Sequence, residues 1–302
     1  MMNTVRKQLA SIFALALALP VLTAAAEQKG PAASGPSAAQ GYTMPSTQMW
    51  DMAADSGEIY RIFVSYPAVE APKGGFPVLY VLDGNALFAG FAETRRIQEF
   101  ADADVGKSIV VGVGYPTDKA YDDRRLYDLT GPAPVPAPWR DELGKLRSGG
   151  WDRFLDFLTG PLRTEIGKRY RIDLDRQALF GHSLGGLFAV HALFSRPDAF
   201  HAIVAASPSL FWHQQEMLRE ERDFAARLRE GKIPKVGRLM VVAGEREETA
   251  LERWDPEAFV KRIEPLSAYG LRSRSEIYAG EGHMTVPIRA VAETLRFAFG
   301  WP

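Results

Sequence analysis

Ser183 stands between two glycines in Gly181-His182-Ser183-Leu184-Gly185, after the apolar run Ala178-Leu179-Phe180 and before an apolar helical pattern that reaches Phe194. This is the order strand, sharp turn, helix, with a serine at the tip of the turn. A plain glycine-rich loop is the alternative, and the strand before and helix after argue against it. In so tight a turn the serine backbone is strained, and side chains at 181 and 185 are expected to collide with neighbouring segments, which glycine avoids. The strain presents the hydroxyl to a ligand. The amide of Leu184, at the start of the helix, then faces the place where negative charge develops on a bound carbonyl oxygen. Such a turn serves nucleophilic attack on an acyl carbon.

A serine hydroxyl attacks poorly until a base takes its proton. Of the five histidines, His182 is locked in the turn and is expected to orient it. His191 lies on the following helix, His201 opens the next strand and His213 follows Phe211-Trp212; packing or surface roles are expected for these. His283 differs, because it follows Gly280-Glu281-Gly282 between the last strand and the last helix. That is the carboxyl edge of the sheet, where parallel-sheet sites form. The base needs an acceptor to fix its tautomer and stabilise the imidazolium. Glu245, Glu247 and Glu248 follow the penultimate strand. Glu247 is preferred, three residues past Gly244. Glu245 is the runner-up, and a solvated charge cluster is the alternative to both. The order nucleophile, acid, histidine is that of α/β-hydrolases. Their second oxyanion donor comes from the loop after an early strand, here the backbone amide of Asn85 after Asp83-Gly84. Asp-Gly is also an ordinary turn signal.

The elements that must position these groups are legible as apolar runs. Strands are predicted within Gln48–Val69, notably Ile59–Tyr66, and at Phe76–Leu82, Ile109–Gly114, Ala202–Ala206, Arg238–Ala243 and near Ser275–Tyr278. Helices are predicted after Asp83-Gly84-Asn85 to about Phe100, and over Trp151–Tyr170, Gln214–Gly231, Asp255–Tyr269 and Thr285–Phe299. The last is expected to set Ile288, Val291, Leu295 and Phe299 on one side. Between them lies a long, proline-bearing loop, Tyr115–Gly150, of a length that is usually functional or disordered. Alternating strands and helices, with strands apolar throughout, imply an α/β fold with a mostly parallel sheet and helices on both faces.

The 302 residues, 46% hydrophobic and 24% charged, suffice for a sizeable core. Residues 1–26 read as a cleaved signal peptide: Arg6-Lys7, the apolar run Leu9–Leu22, then Ala24-Ala25-Ala26. The run is too short to span about 30 Å of hydrocarbon, so no membrane insertion of the mature chain is expected. Residues 27–46 read as a flexible low-complexity leader, and 47–302 as a single hydrolase domain. The first 26 residues hold two of the 36 bases and none of the 37 acids, leaving a mature charge of 34 − 37 = −3. Nothing in that balance favours nucleic acid or an anionic membrane. The absence of cysteine excludes disulfides, a thiol nucleophile and cysteine-ligated metals. Export without disulfides points to the periplasm.

Several motifs together carry a resemblance. They are Leu79-Tyr80-Val81-Leu82-Asp83-Gly84-Asn85, Arg125-Leu126-Tyr127-Asp128-Leu129-Thr130, Gly181 to Phe188, Ser207-Pro208-Ser209-Leu210-Phe211-Trp212 and Gly280-Glu281-Gly282-His283. From about Gly41 onward the chain resembles the esterase D/enterochelin esterase branch of the α/β-hydrolases, and closely the periplasmic trilactone esterases of enterobactin-type and salmochelin-type siderophores. The resemblance implies a periplasmic serine esterase that opens the lactone bonds of a catecholate siderophore such as ferric enterobactin. Iron enters only as part of the substrate, and no cofactor or resident metal is expected. Relatives also include broad carboxylesterases and acyltransferases, and some periplasmic members work as a Ser-His pair without an acid. A silent, siderophore-binding homologue is a third reading, opposed by the intact Ser183, His283 and glycine turn. The resemblance assigns Arg125 to substrate binding, where a guanidinium suits catechol oxygens. Asp122, Asp123 and Asp128 are the alternative partners for Arg124-Arg125. Phe211 and Trp212 offer aromatic walls or, alternatively, core.

Overall fold

A computed structural model describes residues 41–101, 104–136, 140–247 and 255–300. The signal peptide expected at 1–26, and the expected leader as far as residue 40, lie outside the described residues. The strands are β1 (Thr47–Ala53), β2 (Ile59–Ser65), β3 (Phe76–Leu82), β4 (Ile109–Gly114), β5 (Ile172–His182), β6 (Ala202–Ala206), β7 (Arg238–Gly244) and β8 (Ser273–Tyr278). The α-helices are α1 (Gly84–Phe100), α2 (Arg125–Leu129), α3 (Arg140–Leu143), α4 (Trp151–Phe157), α5 (Arg163–Arg169), α6 (Leu184–Ser195), α7 (Gln214–Arg229), α8 (Pro256–Ile263), α9 (Val286–Arg289) and α10 (Val291–Phe299). Ser46 begins the compact unit that contains them all.

Every residue of β3, β4 and β6 is buried. Strands covered on both faces must be apolar throughout, which is why these three read as unbroken runs. The sheet order is β1-β2-β4-β3-β5-β6-β7-β8. Only β1–β2 and β2–β4 pair antiparallel; from β4 to β8 every pairing is parallel. Parallel neighbours need a crossover, and helices supply it. α1 packs with α9 and α10, whereas α6 packs with α2 and α7, giving two helical groups. The parallel register places the ends of β3, β5, β6, β7 and β8 along one edge.

Helix ends differ from the sequence expectation where proline or a break intervenes. Trp151–Arg169 is not one helix but α4, a π turn at Leu158–Leu162 containing Pro161, and α5. Proline has no N–H for the regular ladder, and a wider turn accommodates it. The last helix is two pieces joined at Ala290. Val291, Leu295 and Phe299 are buried as expected, but Ile288 belongs to the first piece and is 60% exposed. The long loop is not structureless, since it holds α2 and α3.

Candidate active site

Ser183 follows β5 directly and precedes α6, with φ 58° and ψ −116°. A non-glycine residue there is strained, as expected for a nucleophile turn. A Cβ at Gly181 would stand 2.0 Å from the carbonyl oxygen of Gly185, so residue 181 must be glycine. The collision expected at 185 does not occur: a Cβ there meets Asp83 and Leu82 at an ordinary 3.6 Å. The demand falls one residue later, on Gly186, whose Cβ would lie 2.8 Å from Pro208 Cα. Ser183 is only 6% exposed. Its hydroxyl lies 3.3 Å from Ser209 Oγ, and its carbonyl accepts the Ser209 N–H.

His283 and Glu247 project from the loops after the neighbouring strands β8 and β7. His283 Nδ1 bonds Glu247 Oε2 at 2.9 Å. The other carboxylate oxygen accepts the Gly244 N–H at 2.7 Å and the Ser207 hydroxyl at 2.5 Å. Burial works against the charge on Glu247, but the bonds from His283, Ser207 and Gly244 outweigh it and hold the carboxyl below its usual range. With Nδ1 donating to this carboxylate, Nε2 of a neutral His283 is the free lone pair. That is the arrangement a general base requires. Glu245 does not reach the histidine; it accepts the Gly280 N–H at 2.8 Å, within the turn that carries His283. Glu248 lies outside the described residues.

The remaining histidines have other partners. His182 Nε2 lies 2.8 Å from the His283 carbonyl oxygen. Burial first, then the neighbouring His283 and Arg125, push its pKa well below the ordinary value, so the ring is neutral and donates through Nε2. It thereby fixes the backbone of His283. His191 stacks on Trp151 at 3.8 Å between ring centroids and bonds Glu220 at 2.9 Å. His201 lies 2.8 Å from the carbonyls of Gln177 and Ala298. His213 is buried, which lowers its pKa to about 4.

The two amides expected to receive the oxyanion, those of Leu184 and Asn85, both lie at helix starts. Leu184 and Asn85 are among the first residues of α6 and α1, and among the described residues neither N–H has a backbone acceptor. The Asn85 side chain fixes its own position: Nδ2 donates to the carbonyls of Tyr115 and Thr117 at 2.9 Å, and Oδ1 accepts the Tyr115 N–H at 2.8 Å. Gly84 lets α1 approach β4, where a Cβ would stand 2.8 Å from the backbone of Gly112 and Val113.

Arg125 is not displayed toward open solvent. Its Nε and Nη2 grip both oxygens of Asp83 at 2.8 and 2.9 Å, a partner the sequence reading did not consider. Arg124 turns away, over the rings of Tyr60 and Tyr115 at 4.6 Å each and 3.5 Å from Asp128. Trp212 is 3% exposed, which leaves little of its ring for a ligand. Phe211 beside it keeps partial exposure. Ser207 and Ser209 lie in a motif legible in the sequence, yet their contacts with Glu247 and Ser183 went unread. Ser207 has a positive φ of 45°, and no residue type signals that. Among the described residues no group of three or more His, Asp or Glu side chains is arranged to hold a metal. No helix there is long and apolar enough to cross a membrane.

The family model described as Putative esterase matches residues 53–285. The chain is 34% identical over 264 residues to the ferri-bacillibactin esterase BesA of Bacillus subtilis, covering 85% of this chain and 91% of that one. Among solved structures it is similar to the BES protein of Bacillus cereus, with TM-score 0.71, 32% identity, and 88% and 99% of the two chains covered. It is also similar to the siderophore hydrolase EstB of Aspergillus nidulans, with TM-score 0.70, 31% identity, and 87% and 99% covered.

Proposed function

Because the chain belongs to the Esterase family and is a carboxylic ester hydrolase, we propose that it is a periplasmic serine esterase that opens the ester bonds of a catecholate siderophore and so assists iron release. The observation that carries the chemistry is the 2.9 Å bond from His283 to Glu247, on the loops adjoining the strained Ser183 turn. The substrate class is supported by the relatives' names, above all that of the ferri-bacillibactin esterase, which matches over most of both chains. The expected signal peptide supports the compartment.

In this reading Ser183 Oγ attacks the ester carbonyl while His283 Nε2 takes its proton. The tetrahedral oxyanion accepts the N–H groups of Leu184 and Asn85. His283 then protonates the leaving alkoxide, and an acyl-Ser183 remains. Water, deprotonated by His283, attacks this ester and frees the acid. Glu247 stays ionised throughout, holding the tautomer and the imidazolium. Ferric iron travels with the substrate, and no protein cofactor takes part.

A broad carboxylesterase or acyltransferase is the second reading. It is favoured by one observation: the two groups expected to hold a catechol are engaged elsewhere, Arg125 with Asp83 and Trp212 in the interior. Product masses after incubation with iron-free and ferric tri-catecholate trilactone separate the two. Ring opening, seen as gain of one water, at a rate well above that for a chromogenic acetate supports the siderophore reading. Turnover of the acetate alone supports the second. Intact mass from a periplasmic extract tests the compartment, with Glu27 as the expected first residue.

A further inference from the structure

Asp83 occupies an unusual place. It precedes α1 with φ 53° and ψ 47°, a left-handed conformation uncommon for a residue with a side chain, and it is 4% exposed. An aspartate at this position ordinarily turns its carboxylate onto the first free N–H groups of its own helix. Here it makes no such capping bond. Its carbonyl accepts the N–H groups of Ala86 and Leu87 at 2.9 and 3.1 Å, and the N–H of Asn85 is left without a backbone acceptor among the described residues. The carboxylate is instead held by Arg125 through two parallel bonds at 2.8 and 2.9 Å. It is not remote from the nucleophile: a Cβ at Gly185, two residues past Ser183, would lie 3.6 Å from Asp83 Oδ2.

We propose that Arg125 is a positioning residue of the oxyanion site: by gripping Asp83 it keeps that carboxylate off the Asn85 amide, which must stay free to receive the substrate's oxyanion. The inference rests on the serine-esterase reading, though not on the siderophore as substrate. The geometry explains why the grip must be two-pronged. Planar guanidinium matches both carboxylate oxygens at once, so neither rotates toward the helix. Without Arg125, a buried carboxylate beside the unpaired N–H of Asn85 has a ready partner in its own helix start. Capping Asn85 would remove a donor and set a negative charge where another must develop. The Asn85 side chain, tied to Tyr115 and Thr117, holds the amide in place from the other side.

A contact that binds only a catechol affects large substrates and leaves small ones alone. A group that guards the oxyanion site affects every ester alike, and acts on turnover rather than affinity. The test measures kcat and KM of wild type and Arg125→Ala on a chromogenic acetate and on a tri-catecholate trilactone, with inhibition by a trifluoromethyl ketone as an oxyanion mimic. Loss of one oxyanion donor costs on the order of 10² to 10³ in turnover. Arg125→Ala should lose kcat by about 10²-fold on both esters, with KM nearly unchanged and the ketone weakened in parallel. Adding Asp83→Asn, which removes the intruding charge and tolerates the left-handed backbone, should recover a large part of the loss. Should Arg125→Ala not fold, Arg125→Lys serves: it keeps the charge without the fork, and a kcat loss on both esters is again expected. Unchanged acetate turnover in either variant, with loss confined to the trilactone and a raised KM, would overturn the inference and return Arg125 to the substrate. An active wild type with an unaffected variant sinks this inference alone; an inactive wild type sinks the esterase reading as well.

Discussion

Glu247 Oε2 and His283 Nδ1 meet at 2.9 Å across the loops that leave two hydrogen-bonded strands, β7 and β8, whose last residues Gly244 and Tyr278 are register partners. The pairing of the strands therefore fixes the spacing of the acid and the base. The carboxylate is itself held by the Ser207 hydroxyl and the Gly244 N–H. It is a built acceptor and not a solvated charge.

Glu247→Gln should consequently reduce ester turnover steeply. An amide donor facing Nδ1 favours the wrong tautomer, and the corresponding exchange in a serine protease triad costs about 10⁴ in kcat. Glu245→Gln should retain most activity, because that carboxylate supports the Gly280 turn and does not contact the imidazole. Steady-state rates of both variants on one ester check this. Loss with Glu245→Gln and none with Glu247→Gln would reverse the assignment.

Ser209→Ala should change turnover by less than about tenfold. The 3.3 Å separation of its hydroxyl from Ser183 Oγ is long for an O–H···O bond, whose usual distance is about 2.7–2.8 Å. Such a contact holds the resting nucleophile only weakly, and its N–H to the Ser183 carbonyl survives the substitution. A loss approaching that of Glu247→Gln would show Ser209 acting on the reacting atoms.

Much of this was legible before the structure. β3, β4 and β6 follow their apolar runs residue for residue, because strands buried on both faces have no polar interruption. The glycine-flanked serine, the last-loop histidine and the glutamate three residues past β7 each sit at a strand end, where chain order constrains them. The Asp83–Arg125 pair was not legible. Its members are 42 residues apart, and each has closer charged neighbours in sequence. Only the approach of α2 to the start of α1 brings them together. The break at Ala290, which exposes Ile288, was likewise hidden, since the apolar spacing runs through it.

His191 should make stability depend on pH. Burial opposes its charge, but Glu220 and Asp152 outweigh burial and raise its pKa above the ordinary 6.5. A raised folded-state pKa contributes stability that is complete below 6.5 and is lost as pH rises through the folded value. The Tm advantage of wild type over His191→Gln should therefore be largest in mild acid and shrink as pH rises above 6.5. A difference independent of pH from 5.5 to about 9 would mean that the stacked ring contributes by packing alone. Activity at neutral pH should be largely retained, since His191 bonds Glu220 and stacks on Trp151, away from Ser183.

The proposed chemistry begins at the Ser183 hydroxyl. The decisive measurement is the turnover of a cleavable ester by purified Ser183→Ala beside wild type, with circular dichroism confirming the fold. Losing a triad nucleophile costs on the order of 10⁶ in kcat, so the variant should keep only the small residual rate that binding and the oxyanion site supply, while the Glu247–His283 pair stays intact. Retention of more than about a tenth of wild-type turnover, far above what any residual oxyanion site supplies, would contradict the serine mechanism.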